Sequence, residues 1–188
     1  MAYADDLTGP YNVHTPGVLE MSETSFKRHI ASPDVHIDHD AKRIRMFYHG
    51  AGFTGPKSGV PNQITCYAES EDGIDFETDH VCLGTAYMRI FEWDGWYYGF
   101  GGGSPRCLWR SRNYRELFEQ GPRLDVDTEA YTNHRMRHPA LHLRGHELDI
   151  YYSNSGDTPE RIKRTTVDLR ENTWCILLQE KRVLVLPN

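Results

Sequence analysis

Runs of aromatic and β-branched residues recur along the chain, each entered through a polar turn and left through small or polar residues. Residues 42–50 (KRIRMFYHG), 94–102 (DGWYYGFGG) and 146–154 (HELDIYYSN) follow this plan. A further strand-like run precedes each of them: SPDVHID from Ser32, AYMRIFEW from Ala86 and RHPALHL from Arg137. The turns between them, HDAK, WDG and LRGHE, suit tight hairpins, and Asp-Gly is the strongest hairpin signal among them.

After each hairpin a third strand leads to a polar corner: AESEDGIDFE at 68–77, WRSRNYRELFE at 109–119 and TTVDLRENTW at 165–174. Fourth strands follow as TDHVCLG, EQGPRL and CILLQEKRVLVL. Four antiparallel strands per unit, repeated every ~40–55 residues, predict propeller blades. The segment RELFEQ is too short for a stable helix. The opening AYADDLTGPYNVHTPGVLE reads as the outer strands of a blade whose first hairpin is absent. The expected fold is therefore all-β, one propeller-type domain over 1–188 with about three complete four-stranded antiparallel blades plus part of another. Its divisions are 1–27 (outer strands of a partial blade), 28–84, 85–128 and 129–188.

A chain of 188 residues can bury a real core. The net charge of −6 argues against a nucleic-acid or anionic-membrane partner, which would need a basic surface. No apolar run approaches the ~20 residues of a membrane span, and the N-terminus lacks the basic and apolar regions of a signal peptide, so a cytoplasmic location is expected. The four cysteines, Cys66, Cys82, Cys107 and Cys175, are scattered without a C-x-x-C pair and read as buried free thiols.

The stretches AYADDLTGPY, HIASPDVHIDHDAKRIRMFYHG, AESEDGIDFE and MRHPALHLRGHELDIYYSNSGDTPERI resemble the five-bladed β-propeller glycoside hydrolases. That superfamily includes family 43 arabinanases and xylosidases and the fructosidases; the likeness is nearest to uncharacterised bacterial glycosidase-like propellers. It implies a truncated propeller, with half of the first blade and the fifth blade missing. The family's general base lies on the innermost strand of the first blade, and the Glu-Gly-Pro general-acid signature is not found here. The resemblance thus implies a protein related to glycosidases but not competent as one, able to bind carbohydrate through residual funnel residues. If it were active, it would be a glycoside hydrolase working through a carboxylate pair.

Such hydrolysis needs two carboxyl groups flanking the scissile bond. The candidates are Asp34, on an inner strand, and Glu160, in the loop SNSGDTPERI that also holds Asp157 and Arg161. Asp34 could equally start its strand by accepting nearby backbone N–H groups, and the Glu160 loop could be a polar turn held by an ion pair. Arg89, Arg137, His138 and His49 would hydrogen-bond sugar hydroxyls, Tyr87 and Tyr152 would stack on sugar faces, and Asp157 and Arg161 would join them as substrate contacts. No metal or other cofactor is expected: on a strand His36 and Asp38 share a face while His39 points away, and Asp40 is assigned to the turn. Nor does GFGGGSP carry the Lys-Ser/Thr of a phosphate loop.

An unclosed propeller should expose apolar faces on its terminal blades, which predicts a homodimer or higher homo-oligomer. The alternative function is then a non-catalytic homo-oligomeric scaffold whose former sugar funnel is a subunit interface.

Overall fold

The computed structural model describes residues 1–55, 63–101, 107–123, 135–170 and 184–185. Two short strands, β1 (Ala2–Tyr3) and β2 (Asn12–Val13), pair as an exposed ribbon, and a 3-10 turn (Met21–Glu23) leads out of it. No α-helix occurs among the described residues, RELFEQ included.

The first blade runs β3 (His29–Asp38), β4 (Arg43–Ala51), β5 (Gln63–Ser70), β6 (Glu77–Thr78) and β7 (Gly84–Thr85). The fourth strand expected at 78–84 is split: β6 and β7 pair with opposite ends of β5. The second blade is β8 (Arg89–Trp93), β9 (Trp96–Phe100), β10 (Cys107–Ser111) and β11 (Glu119–Arg123). The third is β12 (Arg135–Arg144), β13 (Glu147–Ser155), β14 (Lys163–Asp168) and β15 (Leu184–Val185). Each blade is an antiparallel sheet in sequence order. Most of the expected strand at 175–186, with Cys175, lies outside the described residues, as does most of GFGGGSP.

Turn chemistry sets the hairpin registers. Trp93 pairs with Trp96 around Asp94 and Gly95, both at positive φ (50° and 67°), the conformation a type I′ turn requires. In the first hairpin Asp38 pairs with Arg43, and its carboxylate accepts the N–H groups of Asp40 and Ala41. Asp38, and not Asp40, therefore closes that turn. Those bonds, led by Ala41, hold the Asp38 carboxyl below its ordinary range, and Arg45 adds to the effect.

Strand alternation sorts the cores. Phe47, Tyr67 and Leu83 of the first blade face Met88, Ile90 and Phe118 of the second. On the second blade's other face Phe91, Tyr98 and Phe100 meet Leu148, Ile150 and Tyr152 of the third. The first blade's outward face (Met46, Tyr48, Ile64, Cys66) is covered by Leu19, Phe26, Phe53 and Phe76. Gly50 permits this cover, since a Cβ there would lie 2.5 Å from the His29 carbonyl oxygen and 2.6 Å from Phe26 Cγ. Cys66, Cys82 and Cys107 are buried.

The third blade departs from the expected apolar outer face. Asp149 is buried there beneath Arg144, whose guanidinium donates to it at 2.9 and 3.2 Å, and Thr166 adds a hydroxyl at 2.5 Å. These partners keep the Asp149 carboxyl below its ordinary range, the Arg144 hydrogen bond first among them. The described part of that face is polar because its charges are paired within the blade.

Candidate functional site

The inner strands of the first and third blades carry the same irregularity. Pairing of β3 with β4 slips between Ala31 and Asp34, and pairing of β12 with β13 slips between Arg137 and Ala140. Each slip contains a non-glycine residue in left-handed backbone, Ser32 (φ 51°) and His138 (φ 52°), followed by proline. In the second blade Tyr87 (φ 59°) stands two residues before Arg89, as Ser32 stands two before Asp34. Bulges of this kind re-aim side chains, and left-handed residues of these types are rare enough to mark a position held by its surroundings.

Arg89 ties the three inner strands together. Its Nη1 donates to the carbonyls of Ser32 (3.3 Å) and Pro33 (2.9 Å), and its Nε donates to that of Pro139 (3.1 Å). The guanidinium lies 4.4 Å above the Tyr87 ring centre and 3.9 Å from Asp34 Oδ1. Asp34 Oδ2 accepts the Ile90 backbone N–H at 2.7 Å and lies 3.0 Å from His36 Nε2. The Asp34 carboxylate thus binds a backbone N–H of the neighbouring blade, not one near it in the chain, and a second partner, His36, one alternate position along the same strand face.

Beside this hub a depression of about 270 Å³ is lined by His49, Tyr87, Arg137 and His138, with Met136 and Pro139 among the remaining residues. Tyr87 Oη lies 3.3 Å from His138 Nδ1, and the His49 and Tyr87 rings are 5.4 Å apart. His49 is 7% exposed, and its Nδ1 is buried without a hydrogen-bond partner. Burial, helped by His29 and Arg89, depresses its pKa to about 4, so the ring is neutral at pH 7.

Glu160 stands at the edge of the depression. Ser153 donates its hydroxyl to Glu160 Oε1 at 2.5 Å, and Arg137 Nε lies 3.6 Å from the same oxygen. Its cationic neighbour is therefore Arg137, from the inner strand. Arg161 is exposed in the loop, while Asp157 pairs with Lys163 at 3.0 Å. Tyr152 needs correction. It is 1% exposed within the core between the second and third blades and offers no face to a sugar. Its alternation with Leu148 and Ile150 was the signal that placed it inward.

The structure thus brings His49, Tyr87, Arg137 and His138 to one depression, with Arg89 and Asp34 behind it and Glu160 at its rim. Asp157 and Arg161 remain in the loop beyond Glu160. Among the described residues no three His, Cys, Asp or Glu side chains group as metal ligands, and no helix is long and apolar enough to cross a membrane.

No protein-family model matches the chain. It is 36% identical over 201 residues to the uncharacterised protein R118 of Acanthamoeba polyphaga mimivirus, an alignment covering 93% of this chain. The chain spans 52% of that protein's length. Among solved structures it is similar to the family 43 glycoside hydrolase BlXynB of Bacillus licheniformis (TM-score 0.62, 13% identity, 89% of this chain and 34% of that one). It is also similar to the α-L-arabinofuranosidase CtGH43 of Clostridium thermocellum (TM-score 0.57, 17% identity, 87% and 60%). The fold is that of the five-bladed glycosidase propellers, and the described residues supply three blades of it.

Proposed function

We propose that this chain binds oligosaccharide in the depression between its second and third inner strands and does not hydrolyse it. One observation carries the reading: Tyr87 and His138, both held in left-handed backbone on neighbouring blades, meet at 3.3 Å over an open depression. An aromatic ring flanked by imidazole and guanidinium donors suits a sugar, which offers an apolar face and a rim of hydroxyls. Against hydrolysis stands the use made of the two carboxylates. Asp34 is spent on the Ile90 N–H and His36 behind Arg89, and Glu160 on Ser153 and Arg137. A glycosidase sets two carboxyl groups on either side of one bond, whereas neither Asp34 nor Glu160 lines the depression.

The test is calorimetric titration with neutral and acidic oligosaccharides alongside a reducing-sugar assay. Binding that Tyr87→Ala weakens at least about tenfold, without new reducing ends, is the expected result. Turnover abolished by Asp34→Asn would restore the enzyme reading, and indifference to every sugar would remove the carbohydrate reading.

A homodimer is a second, compatible proposal, favoured by Val35 and Ile37, which are 53% and 65% exposed at alternate positions of β3. They lie on the face opposite Asp34 and His36, so pairing through them leaves the depression open. That geometry favours a dimer over a scaffold that closes the former funnel.

A further inference from the structure

The protein carries a net charge of −6, yet the lining of the depression presents Arg137 and His138 and no carboxylate, the nearest being Glu160 at its rim. Arg137 is about half exposed, and its guanidinium makes no hydrogen bond among the described residues. Its guanidinium fork, the side-chain geometry best matched to a carboxylate, is therefore open apart from the 3.6 Å approach of Glu160. Glu160 itself shows that a carboxylate fits at that position. At the wall, the buried Nδ1 of His49 lacks the partner such an atom ordinarily has.

We infer that the depression recognises an acidic sugar, a uronate, whose carboxylate takes the place of Glu160 on Arg137. The inference rests on the carbohydrate reading above and specifies its ligand class. Glu160 acts in it as a resident competitor: its exposed loop carries the charge away when ligand arrives and returns it when ligand leaves. Recognition then weakens with salt, because the pair that forms is at the surface.

The experiment compares trigalacturonate with its methyl ester, the same sugar without charge, on the full chain. The acid should bind at least about tenfold more tightly than the ester, and its affinity should fall between 50 mM and 500 mM salt. Arg137→Gln should bring acid and ester to equal affinity, removing the preference. Glu160→Gln should strengthen acid binding by about two- to fivefold, the worth of one exposed ion pair. Circular dichroism on each variant keeps loss of fold separate from loss of binding. Equal affinity for acid and ester would overturn the acidic-sugar inference and leave the carbohydrate reading standing. Weaker acid binding in Glu160→Gln would also overturn it, since Glu160 would then be helping the ligand. Failure of acid, ester and every neutral oligosaccharide alike would bring down the carbohydrate reading, and this inference with it.

Discussion

Asp34 Oδ2 accepts a 2.7 Å hydrogen bond from the backbone N–H of Ile90, joining the inner strand of one blade to that of the next. The same carboxylate faces His36 and lies 3.9 Å from Arg89, so its removal leaves an inter-blade N–H without its acceptor and takes a neighbouring negative charge from the guanidinium. Asp34→Ala should lower stability by about 1–3 kcal/mol, and Asp34→Asn, which keeps one acceptor oxygen, by less. Urea denaturation followed by tryptophan fluorescence measures both. An unchanged midpoint in the alanine variant would mean that the bond contributes nothing to holding the blades.

The blade plan was legible because it lives in local chemistry. Asp94-Gly95 fixes a two-residue turn whatever surrounds it, and the aromatic runs alternate as their strands do. The bulges were not legible. Nothing about Ser32, Tyr87 or His138 as residue types demands left-handed backbone; three inner strands converging on Arg89 impose it. Arg137 and His138 lie on an inner strand and Tyr87 just ahead of another, positions legible from the hairpin pattern, while His49 reaches the depression from the second strand of its blade. Tyr152 was misplaced because two consecutive tyrosines leave the choice of face to the neighbours, and Leu148 and Ile150 decide it. Pairing of Glu160 with Arg137, and not with adjacent Arg161, is likewise a contact between a loop and a distant strand.

His49 makes stability depend on pH in a defined window. Its pKa is depressed from 6.5 to about 4, so between those values the unfolded chain takes up the proton that the folded chain refuses. Stability from this group is complete above pH 6.5 and is lost as pH falls toward 4, with an upper bound of about 3 kcal/mol. His49→Phe keeps the ring volume, removes the buried unpartnered nitrogen and cannot titrate. Thermal melts from pH 7.5 to 4 should fall less steeply for the variant than for the parent chain. Parallel curves would show that His49 is protonated as easily in the fold as outside it.

Arg115 latches the second blade's polar corner onto the first blade. Its Nε and Nη2 form a fork with both Asp79 oxygens at 2.6 Å, Nη1 reaches Glu69 at 3.1 Å, and Tyr67 donates to Glu69 at 3.0 Å. Forked geometry makes this pair stronger than a typical exposed one, but its partial exposure keeps the contribution near about 1 kcal/mol. Lysine cannot reproduce the fork, so Arg115→Lys should lose most of what Arg115→Ala loses. Both differences should shrink in 1 M salt. If lysine restored full stability, point charge and not geometry would be the cause.

Val35 and Ile37 bear on assembly. They occupy the non-Asp34 face of β3, where Leu19, Phe26 and Phe76 cover the sheet's deeper apolar residues but leave these two half to two-thirds exposed. An apolar pair left uncovered at the tip of an otherwise covered face is the surface a second copy would bury, and a two-fold arrangement lets the pair meet itself. Sedimentation velocity at micromolar concentration should show a dimer, and Val35→Glu with Ile37→Glu should give a folded monomer. Because Asp34 and His36 point the other way, that monomer should keep the parent's sugar affinity within about twofold. A monomeric parent chain would end the dimer proposal. A double variant that lost sugar binding while remaining folded would show that the two faces of β3 are coupled through the bulge at Ser32 and Pro33.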